Sequence, residues 1–378
     1  MMSTLVFGGS LFLVVFAYFG YPLTLLVIAR LRRMEVKKAP VVPSVTLIIT
    51  AHNEEKRIRE KLENALSLDF PREKLQILVA SDGSTDRTNA IVEAYRERGV
   101  ELLAVAHRGG KENAQKEAVH IARGEVLVFS DVATRLEACG LAQIVANFAD
   151  PTVGCASSVD RVLDKDGRPG GEGAYVRYEM WLRELESQVH SLVGLSGSFF
   201  AARSEVCRDF SAEMQSDFRT VLNSIRLGLR GVSDAAAVGY YPDVADSRKE
   251  FDRKVRTVVR GLTVFFRNLE FLDPFRYGFF SYQLFCHKLL RWLVPLFLAS
   301  AFTANLVLAA GSFAYSALLA GQIGFYAAAI WVWRRPANAA HSVWKIPAYF
   351  LSANAAIVLA WWRFFRGQRL VMWTPSQR

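Results

Sequence analysis

Hydrophobic positions gather at the two ends of this chain and recur in short bursts through its middle. Residues 5–28, 289–310 and 313–333 are apolar over a helix-spanning length, and residues 346–362 form a shorter apolar stretch that carries Ser352 and Asn354. Between the ends, three runs stand out: Val45-Thr46-Leu47-Ile48-Ile49-Thr50, Leu75-Gln76-Ile77-Leu78-Val79-Ala80 and Glu125-Val126-Leu127-Val128-Phe129-Ser130. Runs so short, apolar and β-branched predict strands covered on both faces, as in a parallel sheet. Each breaks into a polar turn rich in carboxylates: Ala51-His52-Asn53-Glu54-Glu55, Ser81-Asp82-Gly83-Ser84-Thr85-Asp86, and Asp131. Carboxylates delivered at the C-terminal ends of several strands are how an open α/β sheet lines a ligand crevice.

Helical patterns fill the intervals. They cover residues 54–66, a helix opened by the Asp82–Asp86 turn and running through Arg98, residues 111–122 closed by Arg123-Gly124, and residues 175–190. The Ser, Thr and Asp chemistry before the second of these suits an N-cap. Residues 160–173, rich in Gly and Asp, predict a mobile loop. Residues 253–267 are basic and helical. The Phe and Tyr residues that follow, among Arg and Lys, predict helices lying in the membrane interface, with an ordinary aromatic core as the alternative. The expected divisions are an anchor over 1–30, an α/β domain over 31–250, interfacial helices over 251–288 and a membrane region over 289–378.

Charge adds orientation. Of a formal net charge of +10, much is juxtamembrane. Arg30, Arg32 and Arg33 follow the first apolar stretch instead of preceding it, so that stretch reads as a retained anchor and Arg30 onward as cytoplasmic. The last stretch has basic residues at both ends (Arg334, Arg335 and Lys345 before it; Arg363, Arg366 and Arg369 after it), so the positive-inside rule leaves open a re-entrant segment or an ordinary span. The chain has no zinc-finger, RNA-motif or basic-helix signature, which argues against a nucleic-acid partner. Its four cysteines lack metal-ligand spacing and are expected to be buried free thiols.

An Asp after one strand is ordinarily a helix cap or a turn residue. Three ordered strand-end positions favour a site. In it, Asp82 can accept hydrogen bonds from a base or ribose, and Asp131 can hold a divalent ion against a diphosphate. Both carboxylates are expected to be exposed and replaceable without cost to the fold. The absence of GxGxxG from the first turn excludes a dinucleotide oxidoreductase, and so few spans exclude a transporter.

These motifs, with His107-Arg108-Gly109-Gly110-Lys111, Ser130-Asp131, the segment from Gly194 to Ala202, Ser216-Asp217-Phe218 and His287-Lys288-Leu289-Leu290-Arg291, resemble the successive motifs of family 2 glycosyltransferases. That family includes bacterial exopolysaccharide enzymes and the cellulose, chitin and hyaluronan synthases. The resemblance implies a GT-A-like nucleotide-sugar-binding α/β domain with a mostly parallel sheet, plus N- and C-terminal transmembrane helices. It also implies that Ala51, Asn53, Glu54, Asp82 and Ser84 line the nucleoside, that Lys111, Arg253 and Arg256 meet the diphosphate and acceptor, and that Asp131 binds Mg2+ or Mn2+ with the donor diphosphate. Asp217 would be the general base. The implied activity is inverting transfer from a nucleotide donor, with UDP expected, to a membrane-associated saccharide or lipid-linked acceptor at a bacterial inner membrane, with the catalytic domain cytoplasmic.

The pattern departs from the family at three points. Ala133 stands where a second acidic or polar metal ligand is usual. Ser216 precedes Asp217 where an acidic residue is common. Arg253-Lys254-Val255-Arg256-Thr257 replaces Gln-x-x-Arg-Trp, which weakens a processive reading. A non-catalytic nucleotide-sugar-binding component of a polysaccharide assembly is the alternative: Ala133 favours it and Asp217 opposes it.

Overall fold

The computed structural model describes residues 1–163, 174–242, 247–334 and 345–368. By Cα proximity these fall into two units: residues 1–24, 246–263 and 281–369 in one, and residues 25–245 with 264–280 in the other.

The second unit is built on a single eight-stranded sheet in the order β3-β2-β1-β4-β7-β6-β8-β5. Its first half is parallel: β1 (Val45–Ala51) lies between β2 (Leu75–Asp82) and β4 (Val126–Asp131), and β3 (Val100–Val105) extends it beyond β2. Every residue of β1 is buried, as expected of a strand covered on both faces. Val45, Leu47, Ile49 and Ala51 project to one side, into a cluster with Ile58, Leu62 and Ala65 of α2 (Ile58–Leu66). Each fully buried Leu or Ile in it contributes roughly 1.5–3 kcal/mol. Beyond β4 the direction changes. β7 (Phe199–Arg203) runs antiparallel to both β4 and β6 (Val153–Leu163), while β8 (Arg230–Pro242) is parallel to β6 and pairs with the two-residue β5 (Arg135–Leu136).

Several sequence expectations shift. The helix predicted to run to Arg98 is the short α3 (Thr88–Glu93) and a 3-10 turn, Arg96–Arg98, stopped at Gly99. The half-exposed strand β3 then follows; its run Val100-Glu101-Leu102-Leu103-Ala104-Val105 alternates too weakly to announce a strand. Residues 160–163 belong to β6 instead of a loop, and residues 164–173 lie outside the described residues. Three cysteines are buried, but Cys139 is exposed. The remaining helices of this unit are α4 (Lys111–Ile121), α5 (Gly140–Val145), α6 (Ala174–Val189) and α7 (Ser216–Arg226).

The first unit holds helices long and apolar enough to cross a membrane. There are four such helices among the described residues, including Ile346–Phe365. Met2–Leu31 (α1) is continuous through a π-turn at Phe16–Gly20, and there Ala17 packs on Leu290 and Val294. Phe279–Ala309 likewise carries a π-turn, Phe285–Leu290, just before Pro295. Such irregularities accommodate a proline within a helix. The basic helix α8 (Ser247–Phe266) begins in this unit. In the aromatic stretch that follows it, Phe271 is buried against Tyr277 and Phe280, and Phe275 is exposed.

Candidate active site

Parallel register brings the strand ends together. Thr50 of β1 pairs with Ala80 of β2 on one side and with Asp131 of β4 on the other, so the turns after β1 and β2 and the end of β4 share one edge. Ala51 is fully buried there and contributes backbone only.

The turns after β1 and β2 are laced into each other. Asn53, with a left-handed φ of 52°, donates its backbone N–H to the Ser84 hydroxyl, and its Oδ1 accepts from Thr85 N. His52 Nδ1 lies 2.6 Å from the Asp82 carbonyl. Glu54 is 4% exposed and clamped by Arg57, whose Nε and Nη2 each donate at 2.8 Å. Burial raises the pKa of Glu54 above the usual carboxylate range, Arg57 works against that rise, and Asp131 and Asp86 add to it.

Asp82 is fully buried, which corrects the expectation of an exposed carboxylate. Its Oδ1 accepts from Gly109 N at 2.8 Å and its Oδ2 from Gly110 N at 2.9 Å. Asp82 therefore fixes the 107–110 turn that introduces Lys111. Gly83 sits where the two turns cross: its φ is +57°, and a Cβ there would fall 2.7 Å from Arg108 N.

From that turn Lys111, the first residue of α4, sends its ammonium to Asp131 Oδ1 (2.5 Å) and to the Gly197 carbonyl (2.8 Å). On the other face of Gly197, a Cβ would fall 2.9 Å from Asp217 Oδ2. Asp217 is the second residue of α7. Its Oδ1 accepts from Phe218 N and its Oδ2 from the Gln215 amide, while Gln215, and neither Ser216 nor Asp217, occupies the N-cap. Lys111, Asp131 and Asp217 thus converge on one short loop, residues 194–198.

The family model described as Glycosyl transferase family 2 matches residues 46–210, the span that contains every element just described except α7. The chain carries a family 2 glycosyltransferase domain. Over 116 residues it is 32% identical to a beta-monoglucosyldiacylglycerol synthase of Synechocystis sp., covering 30% of this chain and 24% of that protein. Over 89 residues it is 35% identical to a poly(ribitol-phosphate) beta-N-acetylglucosaminyltransferase of Staphylococcus aureus, covering 23% of this chain and 15% of that one. The chain therefore aligns with about a quarter or less of the length of these curated relatives. A mannosyltransferase from Pyrobaculum calidifontis, solved in complex with GDP-Man and Mn2+, superposes with a TM-score of 0.73 at 24% identity, covering 97% of this chain and 100% of that one. That likeness places the glycosyltransferase domain in the GT-A-like fold class.

The glycosyltransferase domain also uses residues that sequence reasoning did not single out. Lys61, 3% exposed on α2, donates to Ser130 Oγ at 2.7 Å and to the Thr134 carbonyl, one on each flank of Asp131. Burial pushes its pKa down to about 7 against the pull of Asp131. The signal lay in the helix pattern: Ile58, Lys61, Leu62 and Ala65 share the buried face, so a lysine occupies an apolar position. Beneath the 194–198 loop, Asp160 accepts from the Ser196 and Ser198 hydroxyls, and the Arg183 guanidinium donates to Ser157 Oγ and the Gly194 carbonyl. Of the other residues the resemblance nominated, Arg253 and Arg256 belong to the first unit, on α8, where Glu250 holds Arg253 through two hydrogen bonds.

Asp131 and its surroundings fit a divalent ion in one way only. Ala133 offers no ligand, Lys111 occupies Oδ1, and among the described residues no three His, Cys, Asp or Glu side chains group as a metal cage. A single carboxylate suits an ion that brings its other oxygen ligands with it, as Mg2+ does when bound through phosphates.

Proposed function

We propose that this glycosyltransferase domain moves a sugar from a nucleoside-diphosphate donor, UDP-linked in the first instance, to a membrane-associated saccharide or lipid-linked acceptor, with inversion at the anomeric carbon. The observation that carries the proposal is the convergence of Lys111, Asp131 and Asp217 on the Gly197 loop, beside the interlaced turns after β1 and β2. In this reading Ala51, Asn53, Glu54, Asp82 and Ser84 shape the nucleoside crevice, chiefly by bracing its two turns. Lys111 meets the diphosphate, and Asp131 with the diphosphate holds Mg2+ or Mn2+, which supplies charge neutralisation to the leaving group when bound. Asp217 accepts the proton of the acceptor hydroxyl as that oxygen attacks the anomeric carbon and the bond to the diphosphate breaks. Arg253 and Arg256 serve the diphosphate or acceptor. A bacterial inner membrane with the catalytic domain cytoplasmic suits a donor made in the cytosol. The relative that synthesises a glucosylated diacylglycerol supports a lipid acceptor.

Asp217→Asn tests the proposal. Asn preserves the shape and the acceptor for Phe218 N but cannot take a proton. Sugar transfer is expected to fall by about 10²–10⁴-fold with the fold and donor binding retained. The assay is product formation from UDP- and GDP-sugars in detergent, beside calorimetric binding of the diphosphates. Near-normal transfer in Asp217→Asn would remove the base assignment.

A further inference from the structure

Asp131 reaches the crevice already engaged. Its Oδ1 holds the Lys111 ammonium, and a second hydrogen bond to the Gly197 carbonyl keeps that ammonium in place. On its inner side the buried Lys61 amine is fixed between Ser130 Oγ and the Thr134 carbonyl, directly behind the same carboxylate. The nearby carboxylate Glu54 is spent on Arg57, and Ala133 offers an approaching ion nothing. A free divalent cation approaching Asp131 would therefore meet an ammonium already bound at Oδ1.

We infer that Lys111 gates the cation site: in the unliganded domain it occupies Asp131, and only a donor diphosphate, by drawing the ammonium onto its own oxygens, releases Asp131 for the ion. This rests on the donor reading given above and adds an order to it, in which metal enters with or after the nucleotide and never before. The lysine is suited to the exchange. It stands at the first residue of α4, on a long unbranched stem, and its ammonium can move between two anionic partners without any backbone change. The coupling is reciprocal, so the diphosphate must tighten Mn2+ binding as much as Mn2+ tightens diphosphate binding.

The test is Mn2+ binding to the full chain in detergent, read by electron paramagnetic resonance of free Mn2+, with the metal alone and with UDP or GDP. Wild type is expected to bind Mn2+ alone weakly and to gain at least about tenfold with the diphosphate. Lys111→Met and Lys111→Gln are expected to bind Mn2+ alone about tenfold more tightly than wild type, since removing one adjacent charge changes the interaction by more than that factor allows. Two glutamine or methionine variants guard against one that misfolds, and each is checked by its melting midpoint. Unchanged Mn2+-alone affinity in folded Lys111 variants would overturn the gate. The metal-alone measurements thus judge the lysine. Failure of both diphosphates to increase Mn2+ retention in wild type would instead count against the donor reading, and would take the inference with it.

Discussion

A carboxylate with no solvent exposure and two backbone N–H groups on its oxygens holds structure before it holds ligand. Asp82 is in that position, and its loss orphans Gly109 N and Gly110 N in the interior. An unsatisfied buried group costs about 1–3 kcal/mol. Asp82→Ala is therefore expected to lower the unfolding midpoint of the ligand-free protein as well as its donor affinity. Asp131→Ala should behave differently. Asp131 is a quarter exposed at a strand end, and its loss leaves the nearly buried Lys111 ammonium without that carboxylate, so its removal is expected to weaken donor binding and to lower the midpoint less than Asp82→Ala does. Thermal unfolding without ligand, followed by calorimetric titration, separates the two, and equal midpoints for Asp82→Ala and wild type would refute the structural role.

At the scale of elements, a buried cation ties the segment at Met34 and Glu35 to the sheet. Arg230 opens β8, and its guanidinium donates to the carbonyls of Met34, Glu35 and Ser187 and pairs with Asp150 at 3.5 Å, both side chains being nearly inaccessible. Asp150 in turn holds Thr152 and the backbone of Lys37. Residues 34–37 are thus tied to the domain beside the starts of β6 and β8. Arg230→Met is expected to destabilise the glycosyltransferase domain by about 3–5 kcal/mol, because it strands a buried carboxylate and three carbonyls. Arg230→Lys should recover only part of that, since a point charge cannot serve a fork of acceptors. Denaturant unfolding measures both, and a loss below the cost of a surface substitution would show that the site repacks.

For the molecule as a whole, helices of membrane-crossing length and composition are gathered in one unit. The helices with membrane-crossing length and composition lie at the chain's ends, and Asp82, Asp131 and Asp217 all lie in the unit between them. Orientation can be read from the native cysteines. Cys139 is exposed, next to the start of α5, and the other three are buried. With that unit in the cytoplasm, a membrane-impermeant maleimide is expected to spare Cys139 in intact cells and to modify it in inverted vesicles. Labelling from outside intact cells would reverse the assigned topology.

Those parts of the fold whose signal is local were legible in the residues alone. The β-branched runs announced β1, β2 and β4, because a strand buried on both faces admits few polar side chains, and their carboxylate turns lie along one edge of the sheet. Lengths of apolar chain fixed the membrane helices for the same reason. Other contacts join residues far apart in sequence and exist only in the packed domain: Asp82 buried against Gly109 and Gly110, Lys61 under Asp131, and Lys111 reaching both Asp131 and Gly197. A carboxylate in a turn motif looks the same in sequence whether its oxygens face a ligand or a backbone amide. Strand β3 and the end of β6 were hidden for a related reason: their burial is uneven, and a period-2 pattern fades where one face is only partly covered. Local periodicity reports which faces leave water, and only the packed structure reports which polar atoms then find one another.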